Sequence, residues 1–360
     1  MSDVAQQTSS GADMAPRFEG GRGEARHRVI VELLGEPQQT SGVLGFVQAL
    51  RRETARDWER HVEPLIELHW PQVRSTPFYA KFKIGAQQVY APAPYTVMLL
   101  SRRRPVMLRL LLGLCAGLHL GGAFIARALC LLVPLYARLF MTVESRRIAL
   151  MAAFIAAVDE AFDHHLEHLP AVERPGVLRA ILEGTAEPSS PPLKLVQALR
   201  MAMNEGTSVE EAAELSQAIE GCCRWGEAEM RRALRQHDTE GLCHRGEGIR
   251  NGINGLAWTV RRYISEVEWQ WMFDVSCFIQ MLDDWVDLEK DLADDVWTPV
   301  ADGIWNLDTI RDSFERTSRT VVDIARAHGE PYDPYLSLIE EGYREQVRDL
   351  LQNMVRGVAA

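Results

Sequence analysis

The chain has 360 residues, 47% hydrophobic and 25% charged, which is the balance of an ordinary globular protein. A formal net charge of −11 excludes a general nucleic-acid binder, because such a protein carries a basic face. Six cysteines with no CxxC pair exclude a four-cysteine zinc site and any regular disulfide framework. They read as reduced thiols in a cytoplasmic protein, with peripheral attachment to a membrane as a variant of that location.

Residues 1–26 are rich in Ser, Gly, Gln and Ala and lack an apolar core segment, so they read as a disordered tail rather than a secretory signal. Residues 27–360 form the expected helical domain. Helical periodicity dominates, alternating patterns are scarce, and no Gly-rich phosphate loop follows a strand. Pro71, Pro92, Pro94, Pro170 and the stretch Gly184–Pro192 punctuate the helices.

The segment from Val97 to Phe140 is the most apolar. Leu110–Ala126 has no formal charge, but Arg109 and Arg127 bracket it and Pro134 interrupts the apolar residues beyond. It falls short of the roughly 20 apolar residues that span a bilayer. It reads as a buried helix pair walling a pocket for a greasy ligand. A peripheral membrane contact and a non-catalytic, membrane-associated helical protein are the alternatives.

The next expected helix, Thr142 to Leu169, carries Asp159, Glu160 and Asp163. At i and i+4, the two aspartates share a face with Ile148, Ala152, Ile155, Phe162 and Leu166. Carboxylates on an apolar stripe need a partner, since burying each unpaired costs on the order of several kcal/mol. Mg²⁺ meets that need with one or two carboxylates plus phosphate oxygens. Taken alone, this motif also fits a solvated acidic helix end.

From Glu266 a further helix is apolar nearly all round up to Leu282, the mark of a buried helix. It then presents Asp283, Asp287 and Asp291 at i, i+4 and i+8, each rotated by only about 40° from the last. Seven carboxylates fall between Asp283 and Asp295, with Lys290 the only base among them. The two acidic motifs are far apart in the chain, and each emerges from an apolar helix. Facing each other across a greasy cavity, they would grip a metal-bound diphosphate, with more than one Mg²⁺ ion.

These residues resemble the class I isoprenoid synthase superfamily. Asp159, Glu160 and Asp163 are similar to its first motif, DDxxD, with Glu in the second place. The run Asp283–Asp291 is similar to the second metal motif of terpene synthases, NDxxSxxKE, with Asp at the three ligand places. The stretch LDDWVDLEKD also resembles the acid-rich helix of bacterial large-terpene synthases related to tetraprenyl-β-curcumene synthase. The motifs cover roughly residues 149–300.

The resemblance implies an all-α, single-domain class I terpenoid synthase-like bundle around a central apolar cavity. Its activity would be Mg²⁺-dependent ionisation of a linear isoprenyl diphosphate, with cyclisation of the cation and release of diphosphate. Asp159, Asp163, Asp283, Asp287 and Asp291 would hold the metal. Arg235 falls at the family's sensor spacing and, with Lys290 and Arg262, would bind the diphosphate. Phe154, Phe162, Trp258, Trp269 and Phe273 would line the cavity, and the segment through Trp297 and Pro299 would serve as a lid. No Arg-Tyr pair follows Asp291; Tyr343-Arg344 has the reverse order. A trans-prenyltransferase is the alternative within the superfamily, either chain-elongating or condensing head to head as in squalene and phytoene synthases. Asp283–Asp287 is itself a DDxxD preceded by Gln280. Arg102-Arg103-Arg104-Pro105 is faintly similar to the basic element GKRxRP, without its Gly and Lys. Oligomeric state stays open.

Overall fold

The computed structural model describes residues 41–101, 106–231, 239–293, 297–328 and 332–358. Among these, every regular element is a helix and there is no strand, so the all-α expectation holds. The expected tail, residues 1–26, lies outside the described residues.

The chain runs through α1 (Ser41–His61), α2 (Glu63–His69), a 3₁₀ turn (Pro71–Ser75) and α3 (Pro77–Ile84). A π turn (Gly85–Tyr90) leads into α4 (Pro92–Leu100). The apolar segment forms α5 (Val106–Gly117) and α6 (Gly122–Phe140), followed by α7 (Thr142–Glu160). Then come α8 (Arg174–Leu182), α9 (Pro191–Asn204), α10 (Val209–Arg231) and α11 (Thr239–Thr259). The chain closes with α12 (Glu266–Val286), α13 (Leu288–Ala293), α14 (Leu307–Ala327) and α15 (Asp333–Val358). Proline occupies the first turn of α2, α3, α4, α8 and α9, where its missing N–H costs nothing. Ser265 and Glu268 form a reciprocal capping box at the start of α12, and Asn306 caps α14 by accepting from Asp308 N and Thr309 N.

Two helices organise the interior. α7 packs against α1, α9 and α11, and is buried continuously from Arg147 to Phe154. α12 buries Trp271, Val275, Phe278 and Leu282 against α14 and α15. The Trp271 indole donates to the Thr317 carbonyl at 3.1 Å, and the Phe278 and Phe314 rings lie 5.6 Å apart. Each such aromatic contributes roughly 1.5–3 kcal/mol by burial. α11 runs between the two. Near its start Arg245 bridges Asp284 at the end of α12. Near its finish Trp258 packs under Arg147 at the start of α7. Hence α7 and α12 end at one pole of the bundle, and α11 begins there.

α10 and α11 approach closely because of glycine. A Cβ built on Gly248 would lie 2.4 Å from the Trp225 ring. α6 lies along α1, and α5 folds back on α6. This pair is only partly the buried wall expected. Leu112, Cys115, Ile125, Ala126 and Leu129 are buried, while Val106, Leu110, Leu114, Leu118, Phe124 and Leu131 face solvent. Among the described residues, no helix is long and apolar enough to cross a membrane.

Candidate functional site

Both acidic helices leave regular α geometry at their carboxylates. The helix expected to run from Thr142 to Leu169 ends at Glu160, and Ala161–His165 forms a π turn closed by Leu166 N to Ala161 O at 3.0 Å. Such insertions of one residue into a helix recur at functional sites. The second helix does not continue straight through its acids. It ends at Val286, Asp287 takes φ −90° and ψ 1°, and α13 restarts at Leu288. Helical spacing survives the bend, because Asp287 N bonds Asp283 O at 3.0 Å and Asp291 N bonds Asp287 O at 2.9 Å.

Asp159, at the end of α7, lies near enough to Asp283, at the end of α12, for its charge to add a small push there. Tyr90, from the π turn that crosses α7, stands within reach of both charges. Burial is the main cause raising the Tyr90 hydroxyl pKa, and the charges of Asp159 and Asp283 add to it. Asp283 is exposed to solvent, although many protein atoms stand around it. Its pKa is pushed up to about 6, first by loss of water around it, then by Asp287 and Asp284. Lys81 of α3 pulls in the opposite direction, and Asp159 adds a smaller upward push.

Asp284 points the other way. It is buried, accepts from Gln280 Nε2 at 2.8 Å, and is bridged by Arg245. Burial raises its pKa, and Arg245 and Gln280 oppose that rise. The adjacent acids therefore divide the work: Asp284 pins α12 to α11, and Asp283 is left exposed. The same face of α12 continues down through Gln280, Ser276, Phe273 and Trp269, all half-buried, whereas Trp271, Val275, Phe278 and Leu282 on the other faces are buried. Trp269 and Phe273 stack at 5.7 Å, with the Arg250 guanidinium 5.2 and 5.1 Å from their centroids.

The remaining expected residues scatter. Asp291 is half-buried in α13. The side chains of Asp163 and Lys290, and the whole of Arg235 and of Arg102–Pro105, lie outside the described residues. Arg262 is not beside Asp283: it sits in the turn before α12, and seventeen helical residues from Glu266 to Asp283 place it at least roughly 26 Å away. Trp258 is also at that far pole, where its indole donates to Glu211 O at 2.8 Å beneath Arg147. Phe154 is buried in the core, and Phe162, in the π turn beside Asp159, packs partly buried against it. The expected lid is anchored after Trp297: Thr298, Pro299 and Val300 are buried, and the Trp297 indole donates to Asp302 at 2.7 Å. A cavity of about 330 Å³ lies at the far pole, lined by Arg56, Asp57, Arg60, His61, Arg146 and Arg147 among others. Being polar and remote from Asp159, it is not the central apolar cavity expected.

Lys81, Tyr90 and Arg245 join the site without any motif to announce them. Among the described residues, no three His, Cys, Asp or Glu side chains already enclose a single point. The donor set nevertheless fits Mg²⁺, which needs only one or two carboxylates and takes its other oxygens from water and phosphate. A cation would relieve the repulsion that Asp287, Asp284 and Asp159 impose on Asp283. Comparison of the chain with protein-family models, with curated proteins and with solved structures finds no match.

Proposed function

We propose that the chain is a Mg²⁺-dependent class I terpene synthase that ionises a linear isoprenyl diphosphate, cyclises the resulting cation and releases diphosphate. One observation carries this reading: Asp159 and Asp283, far apart in sequence, lie near enough for the charge of Asp159 to reach Asp283, and both charges reach Tyr90. Asp287 and Asp284 crowd Asp283 as well, and Lys81 opposes them.

In this reading Asp159, Asp283 and Asp287 hold the metal, with Asp163 and Asp291 as the further oxygen ligands of the two motifs. The bound Mg²⁺ supplies Lewis acidity to the departing diphosphate. Lys81 places a positive charge where negative charge develops, and the Tyr90 hydroxyl, kept protonated by its surroundings, donates to a diphosphate oxygen. Asp284, held by Arg245 and Gln280, positions Asp283 rather than touching substrate. Below the acids, the half-buried face of α12 through Gln280, Ser276 and Phe273 would flank the isoprenyl chain. Exclusion of water along that face protects the cation from capture.

The test is incubation of purified protein with farnesyl or geranylgeranyl diphosphate and Mg²⁺, with and without isopentenyl diphosphate. Chelator-sensitive release of pyrophosphate with a hydrocarbon product, independent of isopentenyl diphosphate, is expected. A longer diphosphate formed only with the second substrate would make the protein a prenyltransferase. Absence of turnover with either would leave a non-catalytic helical protein. Asp159→Ala and Asp287→Ala should each abolish turnover while leaving the helical circular dichroism signal intact.

A further inference from the structure

Among the described residues, the hairpin of α5 and α6 presents a set of exposed apolar side chains. Val106, Leu110 and Leu114 recur every fourth residue and form one stripe along α5, Leu118 follows in the turn, and Phe124 and Leu131 are exposed on α6. These six side chains are each 52–75% exposed. Single exposed leucines are ordinary, but a contiguous run on one hairpin marks an interaction surface. Among the described side chains of α5, Leu112 and Cys115 are the buried ones. A helix apolar nearly all round and covered on one side lacks a partner.

The charge around this surface identifies the partner. From Leu68 to Val143 the sequence contains no Asp or Glu, in a chain of net charge −11. Arg109 and Arg127 are both exposed beside the stripe. An apolar face with a cationic border matches the acyl–headgroup boundary of an anionic bilayer. α5 has twelve residues, about 18 Å of helix, which is too short to span a bilayer but long enough to lie in its surface. A second copy of the chain fits less well, because a two-fold contact would set the cationic borders of the two copies against each other.

We infer that the α5–α6 hairpin is a monotopic anchor that inserts Val106, Leu110, Leu114, Leu118, Phe124 and Leu131 into the surface of an anionic lipid bilayer, with Arg109 and Arg127 on its headgroups. The anchor does not depend on the catalytic reading, since no residue of the carboxylate site takes part in it.

Flotation with vesicles tests it, using phosphatidylcholine alone and phosphatidylcholine containing phosphatidylglycerol. The full chain should float with the anionic vesicles, and less so as salt rises. Leu110→Glu/Leu114→Glu should weaken vesicle binding by at least about tenfold. Arg109→Glu/Arg127→Glu should lose about tenfold on anionic vesicles and little on neutral ones. Thermal unfolding of both variants should match the parent, showing that the hairpin still folds. No flotation of the parent, or flotation that the leucine variant leaves unchanged, would overturn the assignment. So would a concentration-dependent dimer in sedimentation velocity that Leu110→Glu/Leu114→Glu dissolves, without vesicle binding.

Discussion

Carboxylates at the two poles of the bundle live in opposite circumstances. At the far pole, Glu211 accepts from both Arg147 amino groups at 2.8 and 3.2 Å and from Ser208 N at 3.1 Å. The Arg147 hydrogen bonds are the first cause that brings its pKa down to about 2. Glu268, buried in the same region, is satisfied by its capping box and by contact with His328. Asp283, on an exposed side of α12, is instead pushed up to about 6 by loss of water around it and by Asp287 and Asp284. Glu211 is held low by its bases; Asp283 is held high by its surroundings despite the opposing pull of Lys81. That difference separates a carboxylate kept for structure from one kept for a ligand.

The largest effect expected from this contrast is at the balanced pole. Arg147→Ala leaves Glu211 buried without its main partner and should cost roughly 3–5 kcal/mol, read as a lower urea midpoint at unchanged slope. The depressed pKa sets the sign with pH. The stabilisation is present above about 4.5, the ordinary value, and fades as the pH falls towards 2. The deficit of the variant should therefore shrink across that window. If Asp283→Ala costs as much as Arg147→Ala, the distinction between the poles is wrong.

A smaller effect is expected at Lys81, whose exposed side chain contributes little to stability but opposes the acids around Asp283. Lys81→Gln should weaken pyrophosphate binding in the presence of Mg²⁺ by about tenfold, the order expected for one charge-assisted contact, with unfolding unchanged. Isothermal titration calorimetry measures it, and unaltered affinity would remove Lys81 from the site.

Much of this arrangement is legible in the sequence, but unevenly. The acid runs at Asp159 and Asp283 stand out because each interrupts an apolar helix, and in the structure the charge of Asp159 reaches Asp283. Prolines at 77, 92 and 191 open helices as their fixed φ dictates. The π turn after Glu160 is invisible, since one extra residue per turn leaves the apolar stripe readable as α. Tyr90 and Lys81 carry no signal at all: only tertiary packing lays Gly85–Tyr90 across α7. Arg262 is a different case. Its distance from Asp283 along a helix is calculable from the sequence, but periodicity gives only the face of a helix and says nothing of which end a residue occupies.

The smallest effect is the one that best isolates the added charge. Folding moves the Asp283 pKa from 3.8 to about 6, so the native state holds its proton more tightly than the unfolded chain. Between those values stability falls as pH rises, and above about 6 the full penalty of ionising Asp283 is present. Asp283→Asn removes that penalty without changing the side chain's size. At about pH 7.5 without metal, the variant should melt slightly higher than the parent, the gain being reduced because solvent screens the exposed Asp283, and at about pH 3 the two should coincide. Adding Mg²⁺ and pyrophosphate at the higher pH should raise the melting temperature of the parent and leave the variant nearly unmoved, because ligand that binds only the native state stabilises it by mass action. A variant that melts lower than the parent at the higher pH would mean that Asp283 is already balanced by its protein neighbours, like Glu211, and belongs to a structural acid cluster.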